Sequence, residues 1–296
     1  MRSTRTGRRV VGIAIIVVLS VAVVGLSALA LSHTRAPRVV AADEQMMVAP
    51  PSPTPSTTPV ASPQPTTPAP VPRSEERFLS FAGESAWRAT AGSCDGAAPV
   101  LQRLDARGEW VDIVPRGHDV RQIASLDAYA DGAEFVAGAD AGCAPIALRT
   151  FSAGDAWAPR PDSLARSRYV TVDAPDVVHT RAGDVAAPCA SASGLRARGE
   201  LVVLVCDGQA WSRTGDQWQP LAPADVAAVA VNEADILIGH TTPECAGLEV
   251  TRVSGDASTP VGCAAGVDST LPVAIAQRGD DVVVWAADDI IEVTAP

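Results

Sequence analysis

The chain has 296 residues, 47% of them hydrophobic, and a formal net charge of −11. Residues 1–73 hold seven of the 23 basic residues and two of the 34 acidic ones, so residues 74–296 carry a formal net charge of −16. Because binding to nucleic acid or anionic lipid requires a basic footprint, this balance excludes a nucleic-acid partner for the C-terminal part.

The first predicted element is an apolar segment of 22 residues without charge, residues 10–31. A helix of this length spans ~30 Å, the thickness of a bilayer core, so the segment predicts one transmembrane helix. Four arginines in residues 1–9 place that short tail in the cytoplasm and the C-terminal part outside the cell. The alternative is a cleaved signal peptide, whose apolar region is usually shorter, at ~7–15 residues. Both interpretations export the rest of the chain.

A linker rich in proline, serine and threonine is predicted next, over residues 32–73. Ten prolines lie in residues 50–72. Proline fixes φ and removes a backbone donor, so this stretch is incompatible with a helix or a central strand and is typical of an extended spacer. At ~3.1 Å per residue it reaches ~70 Å. The predicted globular domain follows over residues 74–296.

All six cysteines lie in the predicted exported domain, which favours disulfides over free thiols. They are Cys94, Cys143, Cys189, Cys206, Cys245 and Cys263. Six cysteines permit about fifteen pairings, between which the sequence does not decide. The short separations within the two C-terminal pairs favour local bridges, which would leave the first two cysteines for each other. Zinc binding is the alternative, but no CxxC occurs and no histidine stands at ligand spacing from a cysteine.

Four segments of the domain align around a cysteine, and they begin at Ser93, Gly142, Val205 and Glu244. Each continues as a β-like run, a turn that contains glycine and a second short run, and three of the turns lead into tryptophan. The expected turn and packing residues are Gly108, Trp110, Gly154, Trp157, Gly215 and Trp218. Between the turns, apolar residues alternate with small or polar ones, which predicts half-buried strands.

A fifth related stretch, without a cysteine, begins at Pro272. A repeated unit of ~40–50 residues with about four short strands has the size of one β-propeller blade. We therefore predict an all-β domain, a β-propeller of about five blades, with a β-sandwich as the alternative fold. The longest interval between repeats contains residues 160–188, which are interpreted as an insertion.

The turns before tryptophan resemble Asp-box (BNR) repeats, which occur in sialidase-like propellers with the approximate pattern Ser/Thr-x-Asp-x-Gly-x-x-Trp. Residues 150–157 match best, with Ser152 in place of the aspartate; a second turn has Arg213 there, and a third has its glycine shifted to Gly108. Every basic residue is arginine, which is typical of a GC-rich genome. The chain thus resembles membrane-anchored actinobacterial proteins with degenerate repeats of this kind. The resemblance implies a propeller in which the box is a folding element.

The same resemblance implies where catalytic residues should be sought. Sialidase-like hydrolases use an arginine triad, a Tyr/Glu nucleophile pair and a carboxylic acid, which directs attention to Tyr169 after Arg166 and Arg168. A complete triad is not traceable, and no zinc-protease, serine-hydrolase or P-loop motif occurs. The acidic turns do not follow a calcium-loop pattern. We therefore assign no catalytic, cofactor-binding or metal-binding residue.

The sequence favours a non-catalytic propeller that is tethered to the cell surface and binds a protein or an envelope glycan. Its contact with the bilayer is expected through residues 10–31. A sialidase-like glycoside hydrolase is the first alternative, which three arginines and a carboxylate in one axial pocket would support. The second alternative is an envelope sensor that acts through a membrane partner, because residues 1–9 are too few for a cytoplasmic domain.

Overall fold

The computed structural model describes residues 71–294. The chain divides into two units, Met1–Gln64 and Pro65–Pro296, and every described residue belongs to the second. The predicted transmembrane helix and almost all of the predicted linker therefore lie outside the described residues. Within residues 71–294, no helix combines the length and the apolar character needed to cross a bilayer.

The described chain folds into six small antiparallel β-sheets, each built from consecutive strands, and each sheet is one blade. Blade 1 contains β1 (Arg77–Ala82), β2 (Ser85–Thr90), β3 (Val100–Leu104) and β4 (Trp110–Asp112). Blade 2 contains β5 (Val120–Tyr129), β6 (Gly132–Ala139), β7 (Ala144–Thr150) and β8 (Ala158–Pro159). Blade 3 contains β9 (Tyr169–Val170), β10 (Val177–Thr180) and β11 (Gly183–Ala186).

The C-terminal half follows the same plan. Blade 4 contains β12 (Ser193–Arg198), β13 (Leu201–Cys206), β14 (Gln209–Thr214) and β15 (Gln217–Ala224). Blade 5 contains β16 (Val226–Asn232), β17 (Asp235–Thr242), β18 (Cys245–Ser254) and β19 (Ala257–Ala265). Blade 6 contains β20 (Val273–Arg278), β21 (Asp281–Ala286) and β22 (Asp289–Glu292). A 3-10 turn (Arg73–Glu75) precedes β1, and one helical turn, α1 (Pro161–Leu164), precedes β9.

The six blades form a closed ring. The first strand of every blade contacts the first strands of both neighbouring blades. A separate cluster of buried apolar side chains fills each of the six spaces between adjacent blades. Since one isolated sheet cannot bury both of its faces, the ring is what supplies each blade with a core on either side. The predicted all-β propeller is thereby confirmed.

The predicted number of blades is wrong, because the ring has six and not about five. Residues 160–188 are not an insertion: they contain α1 and the three strands of blade 3. The repeat did not reveal this blade because it lacks the cysteine between strands and the tryptophan after a turn that mark blades 1, 2 and 4. Its Cys189 follows the last strand of the blade and does not lie between strands.

Burial along the strands explains their composition. The second strands of the blades are apolar nearly throughout, as in β13 (LVVLVC) and β21 (DVVVWA), and five consecutive residues of each are buried. Such a strand has a neighbouring blade on both faces, so it does not show the alternation of a half-exposed strand. The outermost strand β15 (QWQPLAPA) contains no buried residue and lacks such a continuous apolar run.

The first strands of blades 1, 4, 5 and 6 begin at the same face of the ring. Residues at or next to their starts, Glu76, Gly194, Ala227 and Val273, line one narrow pocket there. The Glu76 carboxylate also accepts a hydrogen bond from the Gly194 amide at 2.9 Å. We call this the upper face and the opposite one the lower face. Val71 lines the same pocket, so the described chain enters the ring at its upper face.

No strand is shared between blades 6 and 1, so side chains close the ring. The Arg77 guanidinium lies 4.4 Å from the ring centroid of Trp285. The buried Arg88 contacts Trp110 at 4.5 Å and Trp285 at 4.8 Å, and it donates a hydrogen bond to the carbonyl of Asp288 at 3.3 Å. Guanidinium groups over aromatic faces are attractive, and more so where water is excluded. Cation–π stacking, apolar packing and the side-chain hydrogen bond of Arg88 therefore join the two blades.

Three disulfides reinforce the ring. They are Cys94–Cys143, Cys189–Cys206 and Cys245–Cys263, with Cα–Cα distances of 5.8, 5.7 and 5.8 Å. The last two are the pairs that their short separations favoured, and the first is the pair that this choice left over. The first joins blade 1 to blade 2, the second joins the end of blade 3 to blade 4, and the third links two strands of blade 5. Two of the three therefore fasten neighbouring blades to each other.

Candidate functional site

The ring has a gap at blade 3. Strand β9 begins at the lower face, where Arg168 donates a hydrogen bond to Glu200 in the turn after β12 at 3.2 Å. It ends at the upper face, where the Thr171 carbonyl accepts a hydrogen bond from Arg73 at 2.6 Å. β9 therefore runs opposite to β1 and β12. The place of a normal first strand is taken by α1 and residues 165–168, which leaves space beside the ring axis.

A cavity of about 330 Å³ occupies this space. It lies between the end of β5 in blade 2, β12 in blade 4 and the segment that joins α1 to β9. Four arginines, two carboxylates, one tyrosine and three serines make its wall predominantly polar. The lining residues are Ser125, Leu126, Asp127, Tyr129, Glu134, Arg149, Ser163, Arg166, Ser167, Arg168, Leu195, Arg196 and Ala197. In a domain of formal net charge −16, this is a local excess of positive charge.

One wall of the cavity is a polar row across three strands. Asp127 of β5 lies directly opposite Glu134 of β6, and Glu134 lies opposite Arg149 of β7. Residues opposite each other in adjacent strands present their side chains on the same face, and like charges in this position are unfavourable. Two carboxylates side by side therefore do not serve the stability of the sheet. Their presence at the cavity makes them candidates for ligand binding.

The four arginines differ in how far they are already engaged. The Arg168 guanidinium binds Glu200, and that of Arg196 donates to the carbonyls of Arg77 and Leu195 at 2.7 and 2.8 Å. Arg166 is exposed, and its guanidinium forms no ion pair or hydrogen bond with any group of residues 71–294. It is the arginine most available to an anionic group.

Arg149 is held in place by aromatic rings. Its guanidinium lies 4.3 Å from the ring centroid of Tyr129 and 4.4 Å from that of Phe151. Its ion pair with Asp131 is long, at 3.9 Å, and its buried Nε has no hydrogen-bond partner in the described part of the chain. Stacking fixes the direction of the group while leaving hydrogen-bonding capacity unused.

The surroundings of Asp127 shift its protonation. Asp127 is open to the water of the cavity, but protein surrounds the cavity. This burial raises the pKa of its carboxyl group to about 6. Arg196 and Arg198 lower the pKa, and Glu134 raises it further. Burial, Asp127 and Glu134 also raise the pKa of the Tyr129 phenol. The carboxyl group can thus change its charge near neutral pH, whereas the phenol stays protonated there.

A cluster of charged side chains separates the cavity from the upper face. Arg196 lines both the cavity and the upper pocket. It lies 4.0 Å from the Glu76 carboxylate, which is itself 3.8 Å from the Arg73 guanidinium. Burial lowers the pKa of both arginines, and Glu76 opposes that effect. The segment before β1 therefore seals the axis from above, and the cavity is approached from the lower face.

The structure brings together only part of the group considered in the sequence. Arg166 and Arg168 line the cavity, but Tyr169 does not. Its side chain is buried between blades 2 and 3, with its ring 4.9 Å from that of His179, and burial raises the pKa of its phenol to about 12. Tyr129 is the tyrosine at the cavity.

Four charged cavity residues were given no role from the sequence: Asp127 and Glu134, which were considered only as calcium ligands and did not fit a calcium-loop pattern, and Arg149 and Arg196. The first two flank the hairpin turn at residues 129–132, so a signal was present. Acidic residues at matched distances from a tight turn fall opposite each other in the hairpin. The two arginines belong to different strands, and their convergence depends on the gap at blade 3, which the repeat did not disclose.

The tryptophans of the repeat turns pack between blades. Trp110 joins the cluster between blades 6 and 1, Trp157 lies against Trp87 and Phe135 at 5.9 and 4.9 Å, and the Trp218 indole donates to the Ala186 carbonyl at 2.9 Å. Gly108, Gly154 and Gly215 have φ values of 80°, 99° and 70°, a left-handed conformation that favours glycine. These residues shape the outer strands and lie away from the cavity lining.

Metal ligands are not assembled in the described structure. Among residues 71–294, no three or more histidine, cysteine, aspartate or glutamate side chains gather in a way that would hold a metal ion.

Comparison with known proteins shows similarity of fold alone. No protein-family model matches the sequence, and neither does any curated protein. The solved structure of YCF48 bound to a D1 peptide is 12% identical and covers 74% of this chain and 77% of its own, with a TM-score of 0.40. The solved structure of a puromycin hydrolase is 14% identical, and the match covers 76% of this chain and 47% of the hydrolase, with a TM-score of 0.43. The chain therefore spans about half of that protein. The six-bladed fucose-binding lectin of Aleuria aurantia is 10% identical, with 71% and 86% covered and a TM-score of 0.40.

Proposed function

We propose that this protein is a binding module at the cell surface that uses the cavity at blade 3 to hold a charged group of an envelope protein or glycan. One observation carries the proposal: four arginines and two carboxylates converge on a cavity of about 330 Å³ in the centre of an otherwise acidic ring. Small-ligand sites are typically concave, ~300–1,000 Å³ in size and furnished with a few convergent polar groups.

The location outside the cell is part of this proposal. Residues 10–31 are the proposed membrane anchor, with the N-terminus in the cytoplasm, and residues 50–72 are the proposed spacer. The disulfides support export, because such bonds persist mainly in oxidising compartments. An anchor and a long spacer would keep the module near the membrane while allowing it to reach ligands in the envelope.

The relationship to Asp-box propellers also remains a proposal. It is supported by the turn at residues 150–157, where the Ser152 hydroxyl accepts a hydrogen bond from the Ala156 amide at 3.0 Å and the Thr150 hydroxyl accepts one from the Gly154 amide at 3.0 Å. The Trp157 indole donates to the Gly154 carbonyl at 3.1 Å. A serine hydroxyl here accepts the amide hydrogen bond that an aspartate at the same position would be suited to accept.

A capture experiment tests the binding function. The fragment Pro65–Pro296, which contains the whole ring, its core and its disulfides, is immobilised and exposed to envelope extract. A ligand retained by the wild type should be retained about tenfold less by Arg166→Gln, because a charge-assisted hydrogen bond contributes ~1.5–3 kcal/mol. Arg116→Gln is the matched control, since Arg116 is exposed and lies outside the cavity. Equal retention by all three proteins would place the binding site elsewhere, and retention of nothing would refute the proposal.

A sialidase-like glycoside hydrolase is the second candidate function, and the convergence of arginines with Asp127, Glu134 and Tyr129 favours it. It requires the Tyr129 hydroxyl to transfer its proton to one of these carboxylates, and no hydrogen bond joins them among residues 71–294. Turnover of a panel of acidic glycosides by the wild type, abolished in Glu134→Gln, would establish the hydrolase. Binding without turnover would leave the binding module.

A further inference from the structure

The two carboxylates of the cavity have no partner on the protein. No hydrogen bond joins the side chain of Asp127 or Glu134 to any group of residues 71–294, and the Glu134 Oε2 atom is buried from solvent without a partner. A buried carboxylate oxygen without a donor costs free energy, most of all when a second carboxylate stands opposite. A positively charged group with several N–H donors would satisfy both.

The nearest arginines do not supply those donors. Stacking between two aromatic rings directs the Arg149 guanidinium, which forms no ion pair with Glu134 although the two residues face each other across the strands. The Arg196 guanidinium donates hydrogen bonds to the carbonyls of Arg77 and Leu195 instead. The carboxylates thus remain unpaired in a cavity that contains four guanidinium groups, which indicates that the missing donor comes from a ligand.

The same cavity also contains positively charged groups that lack an acceptor. The guanidinium of Arg166 has no acceptor among the described residues, and the Nε atom of Arg149 has none. A ligand with a cationic group alone would leave these donors unused, and one with an anionic group alone would be repelled by the carboxylates. Both sets are satisfied by a ligand that carries both charges.

We propose that the cavity binds a zwitterion of the α-amino acid class, free or as a short peptide, with its ammonium group between Asp127 and Glu134 and its carboxylate at Arg166. This inference rests on the function proposed above and narrows its ligand. An ammonium group has three donors, enough for both carboxylates, while a guanidinium forms two parallel bonds to a carboxylate. A cavity of about 330 Å³ has room for a dipeptide.

Calorimetric titration of the full-length chain in detergent tests this inference. The probes are alanyl-alanine, whose only charges are at its ends, its N-acetyl form and its C-terminal amide, with alanine to distinguish a free amino acid from a peptide. Alanyl-alanine should bind, and blocking either end should weaken binding about tenfold or more, because each end loses a charge-assisted pair. Glu134→Gln should reduce the preference for the free amine, and Arg166→Gln the preference for the free carboxylate.

Asp256→Asn is the matched control, because it removes an exposed carboxylate from the turn between β18 and β19 in blade 5. Circular dichroism of each variant verifies that the ring is intact. If the N-acetyl form binds the wild type as tightly as the free dipeptide, recognition of an amine is overturned while an anion site remains. If no probe binds, the ligand class is overturned. The capture experiment then decides separately whether the cavity binds anything.

Discussion

Asp127 is the residue whose chemistry depends most on the architecture around it. Its carboxyl group faces side chains from every element that borders the cavity. They are Tyr129 on β5, Glu134 on β6, Arg149 on β7, Arg166 and Arg168 before β9, and Arg196 and Arg198 on β12. Burial and Glu134 raise the pKa of the group to about 6, and the two arginines on β12 reduce that rise without cancelling it. The charge of the cavity wall therefore changes between mildly acidic and neutral pH.

This shift predicts a pH-dependent effect on stability. In the unfolded chain the carboxyl pKa is ~3.9, so the folded protein holds the proton more tightly and is favoured at low pH; that advantage is lost as pH rises through about 6. The wild type should therefore lose unfolding free energy between pH 4.5 and pH 7.5, and Asp127→Asn, which cannot ionise, should avoid that loss. The variant should gain on the order of 1 kcal/mol over the wild type between the two pH values, a modest amount because cavity water screens the charge. Urea denaturation at the two pH values measures it.

Asp256→Asn serves again as the control for the pH experiment, because its exposed carboxylate should leave the difference between the two pH values unchanged. An Asp127→Asn curve that follows the wild type at both pH values would mean that water solvates Asp127 as it would on an open surface.

Among the elements, blade 3 is the one that the sequence did not predict. Repeats marked by a cysteine predicted blades 1, 2, 4 and 5, three of them with a tryptophan at or next to the outer strand, and the related stretch from Pro272 predicted blade 6. Blade 3 lacks both marks and has only short strands, β9 being two residues long. Pro161, in the first turn of α1, favours a helical turn where another blade would begin its first strand. The irregular start of blade 3 therefore explains both why the repeat did not predict this blade and why the cavity exists.

The cavity therefore could not be predicted as a unit. Arg166 and Arg168 attracted attention because they lie close together in sequence. Arg196 and Glu134 belong to other blades, and they approach this pair because α1 and residues 165–168 stand where a strand with the direction of β1 and β12 would lie. Contacts of this kind depend on the closure of the ring, and the local pattern of apolar and polar residues does not predict that closure.

The disulfide between blades 1 and 2 should contribute more to stability than its neighbours. It closes a loop of 49 residues, against 17 and 18 for the other two. Since a cross-link restricts the unfolded chain more when its loop is longer, the double variant Cys94→Ser/Cys143→Ser should lose about 3–4 kcal/mol of unfolding free energy. Guanidinium denaturation under oxidising conditions measures the loss, and Cys245→Ser/Cys263→Ser is the matched comparison. A larger loss in the comparison would show that blade 5 depends on its internal bridge.

At the scale of the whole molecule, stability depends on how the ends of the ring meet. Five of the six spaces between blades are bridged by the continuous chain. The space between blades 6 and 1 joins the two ends of the described domain and contains neither a shared strand nor a disulfide. Its strength comes from Trp285, which packs on apolar residues of blade 1 and carries the guanidinium groups of Arg77 and Arg88 on its ring.

Trp285 is therefore the side chain on which closure of the ring depends most. It is 6% exposed, and Trp285→Ala should cost about 3–5 kcal/mol through the cavity it leaves and the loss of both stacking partners. Trp285→Phe keeps an aromatic face and should retain more than half of that stability. Chemical denaturation followed by far-UV circular dichroism gives the free energies. Hydrogen exchange should show that the loss of protection in the alanine variant begins in β1 and β20–β22 and is smallest in blades 3 and 4. Uniform loss around the ring would instead indicate that the propeller opens as one cooperative unit with no weakest seam.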